Sequence, residues 1–399
     1  MKQFIVFLVT ISLTLAASAQ DAQKLHKRAV VVDGHNDVLS SGVLDGIDIS
    51  HRVTEGHSDL VRWKEGGLDV QFFSVWTDKR PRNKEGFFFD ALQEIDSLNH
   101  LVLRDPGSMT LARTYKQVKH GIRQSKLVAL IGVEGGHMIE NDISNLDKLF
   151  NLGMRYLTLT WNNSTDWATS AMDETLNRDS LKHIGLTDFG KQVVNRMNKL
   201  GVIVDLSHVG EKTFYDALAV TTKPVMLSHS SVWNICPVFR NVKDDQIKAV
   251  AENNGVICIN FYSGFISKEF DRKQEYLVMH MRDSMQRAIL SGNNSDSAAM
   301  RKTWRSYYSN ELNKVRPTLA QLVDHIEYIV KLVGENYVGI GSDYDGVGSL
   351  PIGLEDVTTY PKITEELLRR GFSRTAIKKI LGGNVMRVMK DNFEKKVKI

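Results

Sequence analysis

Residues 187–208 read TDFGKQVVNRMNKLGVIVDLSH, and this one stretch holds a helix, a strand and a polar strand tip in succession. Thr187 to Leu200 sets Phe189, Val193, Met197 and Leu200 on one stripe at helical spacing. Gly201 follows, a residue that ends helices well because a left-handed backbone costs it no Cβ clash. Val202–Leu206 is then apolar on both alternations, the pattern of a strand buried on both faces. It carries Asp205 and runs out into Ser207 and His208.

The same unit recurs along the chain. Seven more short apolar runs lie at Ala29–Asp33, Leu68–Trp76, Leu127–Val133, Tyr156–Thr160, Pro224–Ser228, Val256–Phe261 and Tyr337–Ser342. They are rich in Val, Ile, Leu or aromatics and too short for helices. Amphipathic helices separate them. Thr318 to Val333 opens with a Thr-x-x-Gln capping box and stripes Leu322, Ile326, Ile329 and Val333. Strand alternating with helix predicts a parallel sheet. Eight strands predict an α/β fold closed as a (β/α)8 barrel of the TIM type, rather than an open sheet. The long excursion, about 268–316, is charged and helical in pattern, with a turn expected at Ser291-Gly292-Asn293-Asn294-Ser295. It reads as an insertion into a single barrel domain, residues 20–399.

Composition narrows the partners. The chain has 399 residues, 42% hydrophobic and 25% charged, as in ordinary globular proteins. Lys plus Arg number 51 against 47 Asp plus Glu, with no basic block, so no nucleic-acid partner is expected. Residues 1–19 read as a signal peptide: Lys2, an apolar run from Phe4 to Leu15, then Ala17-Ser18-Ala19 before Gln20. That run is shorter than the roughly 20 apolar residues of a membrane-spanning helix. The Lys-rich C-terminus carries no hydrophobic tail, so no membrane anchor is expected and the protein reads as exported, periplasmic or secreted. Cys236 and Cys258 are too few for a thiolate zinc site, so a metal here would rest on imidazole and carboxylate. Cys258, inside an apolar strand, reads as a core side chain, and whether the two pair stays open.

The strand tips concentrate the ionisable residues. The first runs into Asp33-Gly34-His35-Asn36-Asp37, where His35 and Asp37, two apart in extended chain, face the same side. The third runs into Glu134-Gly135-Gly136-His137, the fifth into Asp205-Leu206-Ser207-His208, the sixth into Ser228-His229-Ser230 and the eighth into Asp343-Tyr344-Asp345-Gly346. In a barrel these C-terminal ends meet on one face, where active sites are built. Imidazole and carboxylate together suit Zn²⁺ or a similar divalent ion. A single His or Asp at a strand tip is ordinary; their joint recurrence is not. Asp205 differs in alternation from His208 and reads as structural, and His137 reads as a group standing behind Glu134. His51, His57, His100, His120, His183, His280 and His325 fall in helical or loop contexts and read as surface or packing residues.

These motifs, with Arg240-Asn241-Val242, Asn260-Phe261-Tyr262, Gly353-Leu354-Glu355-Asp356-Val357 and Gly383-Asn384-Val385-Met386-Arg387, resemble in order those of the membrane (renal) dipeptidase family, from about residue 25 to 390. The resemblance implies a barrel of the metallo-dependent hydrolase kind that splits dipeptides with two zinc ions per chain. His35 and Asp37 would hold one zinc, His208 and His229 the other, and Glu134 would bridge them. A metal-bridging hydroxide would attack the peptide carbonyl, with Asp343 as proton shuttle and substrate contact. Arg240 would anchor the substrate carboxylate, for which its planar fork is suited, and Tyr262 would line the substrate pocket. A homodimer is the implied assembly.

One position departs from the pattern. Many family members place a substrate-binding His after the fourth strand, where this chain has Trp161. An indole N–H donates but cannot accept a hydrogen bond or take up a proton. Asn162, Asn163, Asp166 and Trp167 could supply contacts instead. Two other readings therefore stand beside the dipeptidase. One keeps the two metals but acts on another carboxylate-bearing amide, such as an N-acyl amino acid or a β-lactam. The other is a metal-binding protein without turnover.

Overall fold

The computed structural model describes residues 20–290 and 297–393. Nine strands form one sheet: β1 Val32–Asn36, β2 Val70–Trp76, β3 Met109–Leu111, β4 Leu127–Glu134, β5 Met154–Thr158, β6 Ile203–Asp205, β7 Met226–Leu227, β8 Val256–Ile259 and β9 Val338–Ile340. Their order is β2-β1-β9-β8-β7-β6-β5-β4-β3, and β2 also pairs with β4. Every pairing is parallel. The β2–β4 ladder closes eight strands into the expected barrel. The ninth, β3, went unread in the sequence. It pairs with residues 127–129 of β4, on the part of that edge that precedes the β5 ladder at residues 131–134.

The barrel strands are buried almost throughout, as their unbroken apolar runs require. Val32, Val70, Val128, Ile203, Met226 and Val256, near the strand starts, form one apolar cluster with Val385, Val388 and Met389. The last three belong to helix Asn384–Phe393, which closes the N-terminal end of the barrel. Asn384 donates to the Val338 carbonyl and Asn392 to the Pro224 carbonyl, both just at strand starts. The opposite end is left to the polar tips.

The helix that opened the sequence reading spans Asp188–Leu200. The Thr187 side chain accepts from the Gly190 N–H, and Gly201 ends the helix at φ 83°. Thr318 and Gln321 form the expected capping box of helix Leu319–Val333. The 268–316 excursion carries helices Lys268–Leu290 and Ser297–Asn313, between β8 and β9. The expected turn at 291–295 and the signal peptide at 1–19 lie outside the described residues. Both thiols are buried and free, and Cys236 donates weakly to the Gly264 carbonyl. Among the described residues no helix is long and apolar enough to cross a membrane.

Two strand limits differ from expectation. The first strand starts at Val32, not Ala29, because the Ala29 N–H still bonds back to Leu25 and His26 and Val31 N–H goes to the Asp69 carboxylate. The strand also ends later, at Asn36, so His35 lies within β1 rather than beyond it. Strand β7 shrinks to Met226–Leu227 because the Ser228 N–H goes to the Asp205 carboxylate instead of a ladder.

Candidate metal centre and substrate cavity

Five ionisable residues converge at the C-terminal mouth of the barrel. His35 Nε2 lies 3.2 Å from Asp37 Oδ2 and 3.4 Å from Glu134 Oε2. Glu134 Oε1 lies 2.8 Å from His208 Nε2 and 3.3 Å from His229 Nε2. The two Nε2 atoms of His208 and His229 are 2.9 Å apart. All five residues are buried. Donor atoms of His35, Glu134 and His229, and separately of His35, Asp37 and Asp343, lie within 4.8 Å of one another.

The far side of each imidazole is tied down, and this decides its proton. His208 Nδ1 meets Asn162 Oδ1 at 2.9 Å, an acceptor, so Nδ1 carries the proton. Ser228 Oγ donates to Asp205 Oδ2 at 2.6 Å and so accepts from His229 Nδ1 at 2.8 Å. His35 Nδ1 meets the Tyr156 hydroxyl at 2.7 Å. Fixed this way, the His208 and His229 rings turn bare Nε2 lone pairs towards each other and towards Glu134 Oε1. Against its burial, Tyr156 and the Asp37 and Glu134 carboxylates hold His35 well above the usual imidazole range. Burial, with the Arg240 guanidinium beyond it, holds His208 down at about 3. Burial, with His35 next, holds His229 well below the usual imidazole range. Glu134 stays ionised against its own burial because His35, His208 and His229 face it. Lone pair against lone pair at about 3 Å is repulsive unless a cation stands between them. His35 Nε2 and Asp37 Oδ1 also have no hydrogen-bond partner among the described residues. The separations of 3.2–3.4 Å match the edge of a tetrahedron whose ligands stand about 2.1 Å from zinc, roughly 3.4 Å. The donor set therefore fits divalent-metal binding.

A second tier of buried groups positions these ligands. Asp205 accepts from Thr158 Oγ1, Ser207 N–H, Ser228 N–H and Ser228 Oγ, which joins the tips of β5, β6 and β7. Asp33 does the same for β1 and β9, accepting from Ser342 N–H at 2.8 Å, Ser342 Oγ at 2.6 Å and the Tyr360 hydroxyl at 2.5 Å. The Tyr156 ring reaches His35 across the barrel through the notch left by Gly132, where any Cβ would run into it. Gly132→Ala is therefore expected to cost about 1–3 kcal/mol by overpacking, read as a lowered urea midpoint. An unchanged midpoint would show that Tyr156 has room to move. His208 and Asp343 both hold left-handed backbone, at φ 65° and 61°, the kind of strain that collects at functional sites.

The remaining candidates surround a cavity of about 440 Å³ that opens onto the centre. Asp343, Arg240, Tyr262 and Trp161 all line it. Asp343 Oδ2 accepts from Asn260 Nδ2 at 2.7 Å, and burial together with the Asp37 charge pushes its carboxyl well up. Arg240 is buried, with Nη2 donating to the His229 carbonyl and Nε without a partner among the described residues. Burial brings it down to about 10, and it still carries its charge at neutral pH. The Tyr262 hydroxyl donates to Gln274 and burial lifts it to about 12. Trp161 packs edge-on against Trp76 with ring centres 5.1 Å apart.

Two expectations need correction. Asn162 lines the cavity, but its carbonyl is taken up by His208 rather than offered as a substitute substrate contact. His137 does not stand behind Glu134: its Nε2 bonds the Thr77 carbonyl and its ring packs against Phe87. Asp205 is structural, as its alternation suggested. His325 is a packing residue, buried between the Val232 N–H and the Ile266 carbonyl.

A family model described as membrane dipeptidase (Peptidase family M19) matches residues 19–398. Among solved structures, the chain is similar to the probable dipeptidase PvdM from Pseudomonas aeruginosa, with 25% identity over 94% of this chain and 98% of that one and a TM-score of 0.78. It is also similar to a metallo peptidase from Rhodobacter sphaeroides liganded with a phosphinate mimic of the dipeptide L-Ala-D-Ala, with 22% identity over 91% and 99% of the two chains and a TM-score of 0.72. At that identity the second likeness concerns the fold alone.

Proposed function

The chain belongs to the membrane dipeptidase family, a family of metallo-dipeptidases, and from that premise we propose that it hydrolyses dipeptides with two zinc ions held by His35, Asp37, Glu134, His208 and His229. The observation that carries this reading is the convergence of three imidazole Nε2 atoms on the two oxygens of one carboxylate. In it, Glu134 would be the shared ligand, His35 and Asp37 would hold one ion, and His208 and His229 would hold the other. When bound, such a pair supplies a hydroxide at neutral pH and polarises the peptide carbonyl.

The chain's own residues do the rest. Arg240 takes the substrate carboxylate on the donors its single bond to His229 leaves free. Asp343, facing Asp37 and steadied by Asn260, takes up a proton at its carboxylate and passes it to the leaving amine. Tyr262 closes the cavity beside Arg240, and the Trp76–Trp161 pair forms an aromatic wall on which a substrate side chain can pack.

Metal analysis combined with a panel of L,L and L,D dipeptides, N-acyl amino acids and a carbapenem tests the assignment. Dipeptide turnover with about two zinc per chain is expected. Turnover of the acylated compounds alone would move the enzyme to another amide, and zinc without any turnover would leave a binding protein. The Asp205–Ser228–His229 chain gives a further test. Ser228→Ala is expected to weaken zinc binding about 10–100-fold, as loss of an outer partner of a ligand does. Chelator competition reads this, and an unchanged affinity would release Ser228 from the role. We also read residues 1–19 as a leader removed on export, so N-terminal sequencing of the exported protein should begin at Gln20.

A further inference from the structure

A second cavity, of about 660 Å³, adjoins the first on the far side of residues 230–243. His208, Phe239 and Arg240 line both, so the two meet where the proposed carboxylate anchor stands. The floor of the second cavity is apolar, with Leu206, Val209 and Phe214 all buried. Its rim is aromatic and unusually open: Tyr215, Trp233 and Phe239 are 38%, 38% and 36% exposed. Of the other cations that line it, Lys212 pairs with Asp216 and Lys243 with Glu211, and Arg178 stands on the exposed edge. Glu174, Arg178, Asn241 and Gln246 also line it, so the apolar floor and exposed aromatics sit within a mixed pocket, and its size falls in the usual ligand range of roughly 300–1,000 Å³. Exposed apolar area of this kind beside a site marks binding.

The geometry points to its occupant. With the carboxylate on Arg240 and the scissile carbonyl at Glu134, the part of a dipeptide at the junction is the side chain of its C-terminal residue. We propose that this second cavity is the subsite for that side chain and that it selects large apolar or aromatic residues there. The inference rests on the dipeptidase reading and on Arg240 as the anchor, and it goes beyond them by naming the substrate class. A Phe or Trp side chain entering beside Phe239 would lie over Val209 and Phe214 and stack against Trp233. Glycine at that position would leave the cavity to water.

The test compares kcat/KM for alanyl-phenylalanine and alanyl-glycine, which differ only in that side chain. The wild-type ratio is expected to exceed about 10, since hydrophobic pockets discriminate by roughly 10–200-fold per group. Trp233→Ala, which removes a rim aromatic, should lower the ratio about tenfold, mainly through KM of the larger substrate. Thr175→Trp, which fills the cavity from the exposed face of helix Ala171–Leu176, should lower it as well. A wild-type ratio near 1, or a ratio that both variants leave unchanged, would overturn the subsite while dipeptide hydrolysis stands. Failure of the wild-type enzyme to cleave either dipeptide would overturn the proposed function first, and the subsite with it.

Discussion

Glu134→Ala is expected to take bound zinc from two per chain to one or none and to abolish dipeptide turnover. Its carboxylate faces all three imidazoles: Oε1 stands 2.8 and 3.3 Å from His208 and His229, and Oε2 stands 3.4 Å from His35. Two like-charged ions held a few ångströms apart repel, and an anion shared between them is what offsets this. Without it, His208 and His229 would offer two neutral nitrogens and no negative charge, a poor site for a divalent ion. The loss of affinity should therefore exceed the about 10–100-fold typical of losing an outer partner. Metal analysis after gel filtration in low-affinity chelator reads the effect. Thermal melting of the metal-free variant separates it from misfolding. Glu134 stays ionised against its burial because the imidazoles face it, so its removal should lower the melting temperature of the metal-free fold, and a retained cooperative transition is what distinguishes metal loss from misfolding. Two tightly held zincs in this variant would remove the bridging role and with it the two-metal arrangement.

How far the sequence could be read follows from which physics is local. The barrel was legible because buried parallel strands are apolar on both alternations and because caps such as Thr318 and Gly201 act over four residues. The ligands were legible because a strand tip concentrates its chemistry in two or three residues, as in His35-Asn36-Asp37 or Ser228-His229. The tier behind them was not. Tyr156 bonds His35 from 121 residues away across the barrel, and in sequence it is one more apolar residue of a strand. The space its ring uses is the missing side chain of Gly132, on yet another strand. Asn162 follows Trp161 at a strand tip, so its sequence position points to a substrate contact; only the fold shows that its carbonyl faces the His208 ring. His137 sits three residues from Glu134, but the glycines between them let the chain turn it towards Thr77. The late start of β1 has the same origin, since Val31 N–H is claimed by Asp69, on the far side of a helix.

Asp343→Asn should separate metal binding from proton transfer. The substitution is nearly isosteric, and Asn tolerates the left-handed backbone at φ 61° as well as Asp does. The bond from Asn260 Nδ2 can be kept by the amide oxygen, so the side chain need not move. None of the five proposed ligands is changed, and zinc content should stay at the wild-type value. What goes is the ability to take a proton and give it up, because an amide does neither near neutral pH. Burial and the neighbouring Asp37 raise the affinity of the Asp343 carboxyl for a proton, which suits a group that must deliver one to a leaving amine. A fall in kcat of about 10²-fold or more is expected, with KM for the dipeptide changing much less. If Asp343 instead only ligates metal, the same variant would lose zinc along with activity, a possibility its closeness to His35 and Asp37 makes worth separating. Full activity in the zinc-loaded variant would remove Asp343 from the mechanism, and the proton would then have to pass through another group lining the 440 Å³ cavity. Of those groups Tyr262, lifted to about 12, is too weak an acid to replace it at neutral pH, so the effect of this substitution should not be masked by a substitute donor.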